Sequence, residues 1–245
     1  MKLQAIKLRI HQDTVSYKNP VSHDFGESYP LAPYSTIIGM IHYLCDFHEY
    51  HPMRISVQGS HVSTTTDLYT SYEFSNGVKF EEDRHNLNVN GLGITRGINK
   101  VQLLVDANTI VHIIPNDPTE LNTIYQALKY PREFPNLGRR EDLAQLSAEL
   151  VTLDERILDA DISVENGAYL PIKQLNEDFS FDTNEGSGQR GTAYEINKNY
   201  ELIENHKGHF SRLYKKVPVL YSSKFSLLSE GKFLFDNENY PVFLA

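Results

Sequence analysis

Residues 33–51 read PYSTIIGMIHYLCDFHEYH, and this stretch contains the clearest helix of the chain. Ser35 is a suitable N-cap. Gly39 costs a helix about 1 kcal/mol relative to alanine, which predicts that the helix approaches a sheet or a ligand closely at that position. The apolar face is predicted from side chains that recur at spacings of three and four residues: Ile37, Ile38, Ile41, Leu44, Cys45 and His48.

Alternating polar and apolar residues predict strands on both sides of this helix. A second helix is predicted at 117–130, where Pro118 fits the first helical position after a capping Asp117. Residues 100–114 predict one strand, or two strands that turn at Ala107–Asn108. The other core strands are predicted at about 2–11, 53–62 and 149–158.

The segment from about 63 to 99 is rich in Thr, Tyr and Phe, and Asn76-Gly77 lies near its centre. Asn-Gly is a strong hairpin signal, so we predict a β-hairpin arm that projects from the domain, called the thumb below. A disordered loop is the alternative, but it would leave the aromatic side chains without a role.

The predicted elements follow the order βαββαβ, with the thumb between the second and third strands, which is typical of the ferredoxin-like or RRM-like arrangement. The fold class is therefore α+β. Residues 1–158 are predicted to form this domain, including the thumb. Residues 159–245, with short strands near 161–172 and 217–228, are predicted to form a smaller β-rich appendage.

Composition excludes several classes of protein. A single Cys45 forbids an intramolecular disulfide and any Cys-based zinc site, so the chain suits a reducing compartment and is expected to be cytoplasmic. The sequence contains no run of about 18 consecutive apolar residues, the length that a membrane-spanning helix needs, which excludes such a span. The opening MKLQAIKLRI carries three cations and does not resemble a signal peptide.

The net charge of −9 argues against a general coat for nucleic acid, but the charge is unevenly spread. Residues 1–140 hold 13 basic and 14 acidic side chains, whereas residues 141–205 hold 4 and 15. Residues 206–224 hold five cations and no acid. This asymmetry indicates two partner surfaces, or a solvated, loop-rich region at 141–205.

Ten histidines raise the question of metal binding or catalysis. Their spacings match no known ligand pattern, so we expect no metal and no cofactor. RNA cleavage without a metal needs a base and an acid across a 2′-hydroxyl. His85, or His42 with Tyr34, offers such groups, although a chain with ten His and fifteen Tyr provides many such pairs.

Two short segments carry cations next to glycine. GLGITRGINK at 91–100 is one residue too long for a dinucleotide fingerprint, and it indicates either a hairpin return or a backbone approach to phosphate beside Arg96 and Lys100. Arg139 and Arg140 follow Leu137-Gly138. The guanidinium group of arginine can bind a phosphate through two parallel hydrogen bonds, so this pair indicates a phosphate contact. The alternative is that one of them pairs with Glu141 or Asp142.

Three features occur together in the order shown by one family. The PYSTIIGMIHYLC segment is similar to the Pro-x-Ser-x-x-x-Gly-Met/Leu helix start of the fifth Cas protein family, called Cas five. NLGRREDL at 136–143 resembles that family's Leu-Gly-Arg-Arg/Ser-Glu segment, and the hairpin between them resembles its thumb. The resemblance covers roughly residues 1–158 and is greatest to type I-B members.

The resemblance implies a RAMP-superfamily subunit of the type I CRISPR surveillance complex, Cascade, in antiviral defence. Such a subunit binds the 5′ handle of the crRNA, caps the backbone filament and helps to dock the large subunit. One subtype of the family also cleaves precursor crRNA, but no matching catalytic set can be placed here, so no residue is assigned a catalytic role and an endoribonuclease is the alternative. A third hypothesis is a protein-interaction module that binds no RNA.

Residue chemistry and resemblance agree on how a single-stranded RNA end would be held, by cations on phosphates and by stacking of bases. Arg139 and Arg140, beside the free N–H groups at the start of the first helix, would form one contact with the RNA. Arg96 and Lys100, at the base of the thumb, would form a second. The predicted RNA-binding residues are Tyr34, Ser35, Thr36, Arg96, Lys100, Gly138, Arg139 and Arg140. A further set is predicted to contact RNA or an acidic protein: Lys207, Arg212, Lys215 and Lys216.

Overall fold

The computed structural model describes residues 3–22, 25–181, 191–204 and 208–245, without the side chains of residues 75 and 76. Two α-helices lie within these ranges: α1 (Tyr34–Cys45) and α2 (Leu121–Lys129). The strands are β1 (Leu3–Val15), β2 (Met53–Ser60), β3 (Ser63–Lys79), β4 (Leu87–Val89), β5 (Leu92–Pro115), β6 (Gln145–Ile157), β7 (Ile162–Val164), β8 (Gly167–Pro171), β9 (Phe179–Phe181), β10 (Thr192–Glu204), β11 (Phe210–Ser222), β12 (Phe225–Leu227) and β13 (Lys232–Phe235). The molecule is an α+β fold that is mostly antiparallel sheet.

Strand β1 lies inside the main sheet, between β5 and β6, and pairs with both in the antiparallel sense. The sheet continues on the other side of β5 with β2, also antiparallel. Residues with even numbers on β1, such as Ile6 and Leu8, share one buried cluster with Ile37 and Ile41 of α1 and Ile124 of α2. Both helices therefore pack against the same face of the sheet.

Helix α1 starts one residue earlier than its predicted cap. Pro33 is the N-cap, no side chain caps the helix, and Pro33 O accepts hydrogen bonds from the N–H groups of Thr36 and Ile37. The prediction of Ser35 as N-cap is wrong, because Pro33 already has the extended φ and ψ that a cap needs. Gly39 is exposed, and a methyl group there would meet no atom within 4 Å, so the predicted close approach is absent from the described structure.

The thumb is formed by β3, β4 and the outer half of β5. The chain does not reverse at Asn76-Gly77, because β3 continues to Lys79 with an irregular register after Phe74. It reverses at Asn90-Gly91, whose φ angles of 51° and 81° suit a type I′ turn between β4 and β5. The thumb segment contains two Asn-Gly pairs, and the prediction chose the wrong one.

Strand β5 is one continuous strand rather than two. Of the two predicted alternatives, the single strand is confirmed and the turn at Ala107–Asn108 is wrong, since both residues pair with β1 and Asn108 also pairs with β2. Asp106, at φ 53°, marks the irregularity where the pairing with β1 skips a residue. Asp106 thus marks the boundary between the core half of β5 and its thumb half, which begins to pair with β3 at Val105, and the strand continues through it.

The C-terminal third extends the same sheet. Strand β8 pairs with β2, β11 pairs with β8, and β10 forms the edge, while β13 extends the opposite side next to β6. Strands β7, β12 and β9 form a separate three-stranded sheet. Hydrogen bonds therefore cross the boundary that was predicted at residue 158, and the division into two domains stays a prediction.

The last residues of the described chain cover the sheet face opposite the helices. Lys7 is fully buried there, with its Nζ 2.7 Å from Asp236 Oδ2, 2.6 Å from Glu238 Oε2 and 3.9 Å from the ring centre of Tyr240. The same Asp236 oxygen lies 3.0 Å from Nε2 of the buried His112. This charged cluster links β1 and β5 to a segment more than a hundred residues away.

Within the described part of the chain, no helix is both long and apolar enough to cross a membrane.

Candidate nucleic-acid interface

A cleft of about 280 Å³ lies at the base of the thumb. Its walls come from the thumb strands, from the loop that follows β1, and from the turn before β6. Two of the predicted residues, Lys100 and Arg139, lie in this cleft together. The lining residues are Ser16, Lys18, Gly26, Tyr69, Asn99, Lys100, Val101, Arg139 and Glu141.

The loop after β1 is held against the thumb by backbone contacts. Lys18 and Ser28 form an isolated β-bridge, and Gly26 O accepts a hydrogen bond from the N–H of Gln102. Gly26 has a φ of 59°, and a methyl group there would lie 2.8 Å from Lys100 O, so a side chain would push the loop off the strand. This contact places Lys18 across the cleft from the thumb.

The turn at 137–142 is organised by one buried carboxylate. Asp142 Oδ2 accepts hydrogen bonds from the backbone N–H groups of Ser16 (3.0 Å) and Arg139 (2.9 Å). Gly138, at φ 108°, fits this turn because a methyl group would lie 2.9 Å from both Ser16 O and Asp142 Oδ2. Gly138 thus has a local folding role, and Arg139, which follows it, lies in the cleft wall.

The two arginines have different environments. The Arg139 guanidinium contacts Asp142, with Nη2 2.6 Å from Oδ1, and its Nη1 lies 3.1 Å from Glu141 Oε1. The hydrogen bond with Asp142 raises the Arg139 pKa above its ordinary value. Arg140 is exposed, and no ion pair joins it to another described residue. Of the two, Arg140 is thus the cation with free hydrogen-bonding capacity.

A second cleft of about 530 Å³ adjoins the first at Lys18, which lines both. Ser35 and Thr36 of α1 lie in it, together with Tyr214 of β11. The Thr36 N–H is already bonded to Pro33 O, so its side-chain hydroxyl is the available group. The remaining lining residues are Pro20, Ser22, Tyr29, Pro33 and Asn197.

Tyr34 is not at the surface. It is completely buried, its ring meets that of Tyr169 edge to face at 5.8 Å, and its hydroxyl has no hydrogen-bond partner among the described residues. Burial raises its pKa above the ordinary tyrosine value. Its side chain therefore packs the core behind the second cleft.

The other predicted residues are distributed more widely. Arg96 is exposed on the thumb, opposite Tyr72, and does not line the first cleft. Gly138 lines a small cavity of about 190 Å³ beside Thr36 and Gly39. Lys215 forms an ion pair with Glu201, and Lys216 Nζ lies 3.9 Å from Glu195.

Arg212 lies over the Tyr200 ring at 4.7 Å. Lys207 lies outside the described residues.

The residues considered for catalysis are occupied elsewhere. His42 Nδ1 contacts Ile38 O at 2.8 Å, its Nε2 accepts the N–H of His51 at 2.9 Å, and burial lowers its pKa. His85 Nδ1 accepts the N–H of Glu81, and its ring packs on Gly93. Over the described ranges, no group of three or more His, Cys, Asp or Glu side chains is arranged to hold a metal ion.

Sequence reasoning missed Lys18, Tyr69, Ser16 and Asn197. Lys18 and Ser16 lie in a polar loop without periodicity, so nothing local indicates which side of the sheet they face. Tyr69 belongs to the aromatic set that predicted the thumb, but its pairing with Asn99 is a long-range register that local patterns do not encode.

The family model described as "CRISPR-associated protein (Cas_Cas5)" matches residues 5–191. No curated protein sequence matches the chain. A chain of a solved structure described as "CRISPR RNA-guided surveillance complex" is 15% identical, aligns over 91% of both chains and has a TM-score of 0.54, which shows a shared fold. A CRISPR protein from Archaeoglobus fulgidus is 11% identical over 99% of this chain and 100% of that chain, with a TM-score of 0.42.

Proposed function

Because this family model covers most of the sequence, the chain belongs to the CRISPR-associated Cas5 family, and we propose that it is a non-catalytic Cascade subunit that binds the 5′ handle of crRNA. In this role it caps the backbone filament and helps to dock the large subunit during antiviral interference. Its partners are crRNA, the backbone subunit and the large subunit. The sequences of its two motifs, at residues 33–45 and 136–143, favour a type I-B complex.

The fold supports this proposal. The chain contains two strand–helix–strand units, β1–α1–β2 and β5–α2–β6. Strand β5 lies between the two strands of the first unit, and β1 lies between the two strands of the second, each in the antiparallel sense. Both helices pack on one face. We assign this arrangement to the ferredoxin-like, RRM-like fold of the RAMP superfamily.

The thumb-base cleft is the observation that carries the proposal. Lys18 and Lys100 approach it from two separate segments, and Tyr69 adds an aromatic ring. Arg139, paired with Asp142 and Glu141, lies in the wall formed by the third segment. Cations on phosphates and rings on bases are the two contacts that hold single-stranded RNA without pairing. The cleft has the chemistry to grip one short RNA segment, whereas the chain as a whole, at −9, repels long nucleic acid.

The alternative, a metal-independent endoribonuclease, needs a base and an acid on either side of a 2′-hydroxyl. Tyr34 is buried, and backbone groups occupy both ring nitrogens of His42. His85 lies on the thumb, away from α1. These positions favour binding over cleavage.

Fluorescence anisotropy with a labelled handle RNA tests the proposal. The variant Lys18→Ala/Lys100→Ala should bind more weakly, and the slope of log affinity against log salt should fall by about 1.4, since each lost phosphate contact on a single strand removes about 0.7. Lys173→Ala/Lys232→Ala removes the same charge from exposed sites away from the cleft and is the control. Equal affinity and equal slope in the two variants would refute the proposed cleft.

A further inference from the structure

Strands β10 and β11 form a two-stranded projection that extends beyond the main sheet. They pair from Thr192–Tyr221 to Glu204–Phe210, but only residues 219–222 of β11 pair with β8. The outer part, residues 199–204 and 210–215, is called the C-terminal ribbon below. It lies outside the part of the chain that the family model matches.

One face of the C-terminal ribbon is aromatic and carries an arginine. Direct cross-strand partners share a face, and here Tyr200 faces Tyr214, Leu202 faces Arg212, and Glu204 faces Phe210. Leu202 and Phe210 are 61% and 66% exposed. Leu202 and Phe210 belong to none of the hydrophobic clusters that the described residues form, so this face is suited to a partner.

These side chains form an ordered group. Arg212 lies over the Tyr200 ring at 4.7 Å, and the Tyr200 and Tyr214 ring centres are 5.5 Å apart at 60°. A hydrogen bond to Tyr214 raises the Arg212 pKa above its ordinary value. The guanidinium is thus held by two aromatic side chains while its charge stays available.

The opposite face differs in its chemistry. There Lys215 is opposite Asn199 and forms an ion pair with Glu201, and Leu213 is opposite Glu201. Its cation is therefore neutralised within the ribbon. Arg212 lies on the first face, and Glu204, the acid of that face, lies at its far end beside Phe210.

The aromatic face is continuous with the proposed RNA site. Tyr214 lines the second cleft with Ser35, Thr36 and Lys18, and Lys18 also lines the thumb-base cleft. A strand of RNA held at the thumb base can therefore pass the start of α1 and reach the ribbon. The continuity favours the same RNA as occupant over an unrelated protein.

We propose that this face of the C-terminal ribbon is a stacking platform for single-stranded RNA, which binds the nucleotides next to the crRNA handle. Alternate residues on a strand are about 7 Å apart, roughly twice the 3.4 Å spacing of stacked bases, so one base fits between Arg212 and Phe210. Arginine planes and aromatic rings stack any base, so the platform does not select sequence. This inference rests on the proposed function.

The test uses the full-length protein and two RNAs. One is the handle alone, and the other is the handle extended by about six nucleotides at either end, a length within the usual site size of single-strand binders. Phe210→Ser should weaken binding of the extended RNA roughly 5- to 150-fold, the loss expected for one stacked base, and should leave binding of the handle alone unchanged. Arg212→Lys should weaken it too, whereas Tyr200→Phe, which keeps the ring, should not.

Leu213→Ser is the matched control, because Leu213 is 56% exposed on the opposite face of the same strand. Equal binding of the extended RNA by wild type and Phe210→Ser would overturn the inference, as would an equal loss in Leu213→Ser. So would loss of co-purification with the backbone or large subunit at unchanged RNA affinity, which would identify a protein contact.

The two proposals fail in distinguishable ways. Handle binding by wild type that responds to Lys18→Ala/Lys100→Ala, without an effect of Phe210→Ser on the extended RNA, refutes the ribbon platform alone. An effect of Phe210→Ser on the extended RNA, without handle binding by wild type, refutes the handle proposal alone. Absence of binding to both RNAs refutes both.

Discussion

At the scale of single residues, burial separates the side chains that can meet RNA from those that support them. Tyr34 and Tyr169 are both completely buried and in edge-to-face contact. Their hydroxyls differ, since Tyr169 donates to Leu31 O at 2.7 Å whereas that of Tyr34 has no partner among the described residues. The pair therefore offers an internal comparison between a satisfied and an unsatisfied buried hydroxyl.

Replacing Tyr34 by Phe should leave the free energy of unfolding unchanged or raise it by up to about 1 kcal/mol, because it removes a buried hydroxyl that makes no hydrogen bond. Tyr169→Phe is the control and should lower it by about 1–3 kcal/mol, because the Leu31 carbonyl loses its donor. Urea denaturation measures both. A loss of RNA binding or cleavage in Tyr34→Phe would contradict the placement of Tyr34 behind the site.

The two arginines show what sequence can and cannot indicate at this scale. The residue types and the preceding Gly138 predicted a turn that carries two arginines, with pairing to Glu141 or Asp142 as the alternative, and the structure shows that pairing for Arg139. Which arginine is free depends on Asp142, whose burial against Ser16 joins segments more than a hundred residues apart. No spacing within the turn encodes that contact.

At the scale of elements, Gly39 and Gly138 lie beside the same small cavity but have opposite requirements. Gly39→Ala should raise the free energy of unfolding by about 0.5–1 kcal/mol, because a methyl group there meets no atom within 4 Å and alanine favours the helix. Gly138→Ala should lower it by at least about 1–2 kcal/mol, because its φ is 108° and the methyl group would crowd Ser16 O. Denaturant titration of the two variants checks both signs, and a destabilised Gly39→Ala would show that the helix is packed more tightly there.

The elements divide into those set by local pattern and those set by pairing. The predicted burial of Ile37, Ile38, Ile41 and Leu44 on α1 follows from side-chain spacing and is observed, whereas His48, predicted on the same face, lies beyond the end of α1 and is 88% exposed. The Asp117 cap is also observed, on the 3-10 turn Pro118–Glu120 that precedes α2. The turn at Asn90-Gly91 and the continuous β5 depend on register with β1 and β3, which local signals do not determine. The C-terminal ribbon was missed because β10, among the described strands, pairs with β11 alone and contains mixed polar and apolar residues.

At the scale of the whole molecule, the C-terminal segment is fixed to the sheet by buried charges. Burial by itself would raise the pKa of Asp236, but hydrogen bonds from His112 and Lys7 outweigh it and hold that pKa well below its usual range. Asp236 Oδ1 also accepts the N–H groups of Glu238 and Tyr240 at 2.9 Å. This carboxylate connects the first strand, the central strand and the end of the described chain.

His112 makes this connection sensitive to acid. Burial lowers its pKa below 6.5, and the hydrogen bond with Asp236 offsets this only in part, while Lys7 and Arg9 lower it further. The folded protein therefore keeps His112 neutral at a pH where the unfolded chain binds a proton. Since stability rises with pH wherever the unfolded state holds more protons, stability should fall as the pH drops below about 6.5.

Between the pKa of His112 in the unfolded chain and its lower pKa in the folded protein, His112 should reduce the free energy of unfolding by up to about 1.4 kcal/mol for each unit by which the pH falls. His112→Gln should be less stable than wild type at pH 7.5 but should lose less stability between pH 6.5 and 5.5, because the buried imidazole is gone. His48→Gln is the control, since His48 is 88% exposed, and it should keep the wild-type profile. Urea denaturation across this range measures the slopes, and equal slopes for wild type and His112→Gln would show that His112 does not couple the C-terminal segment to pH.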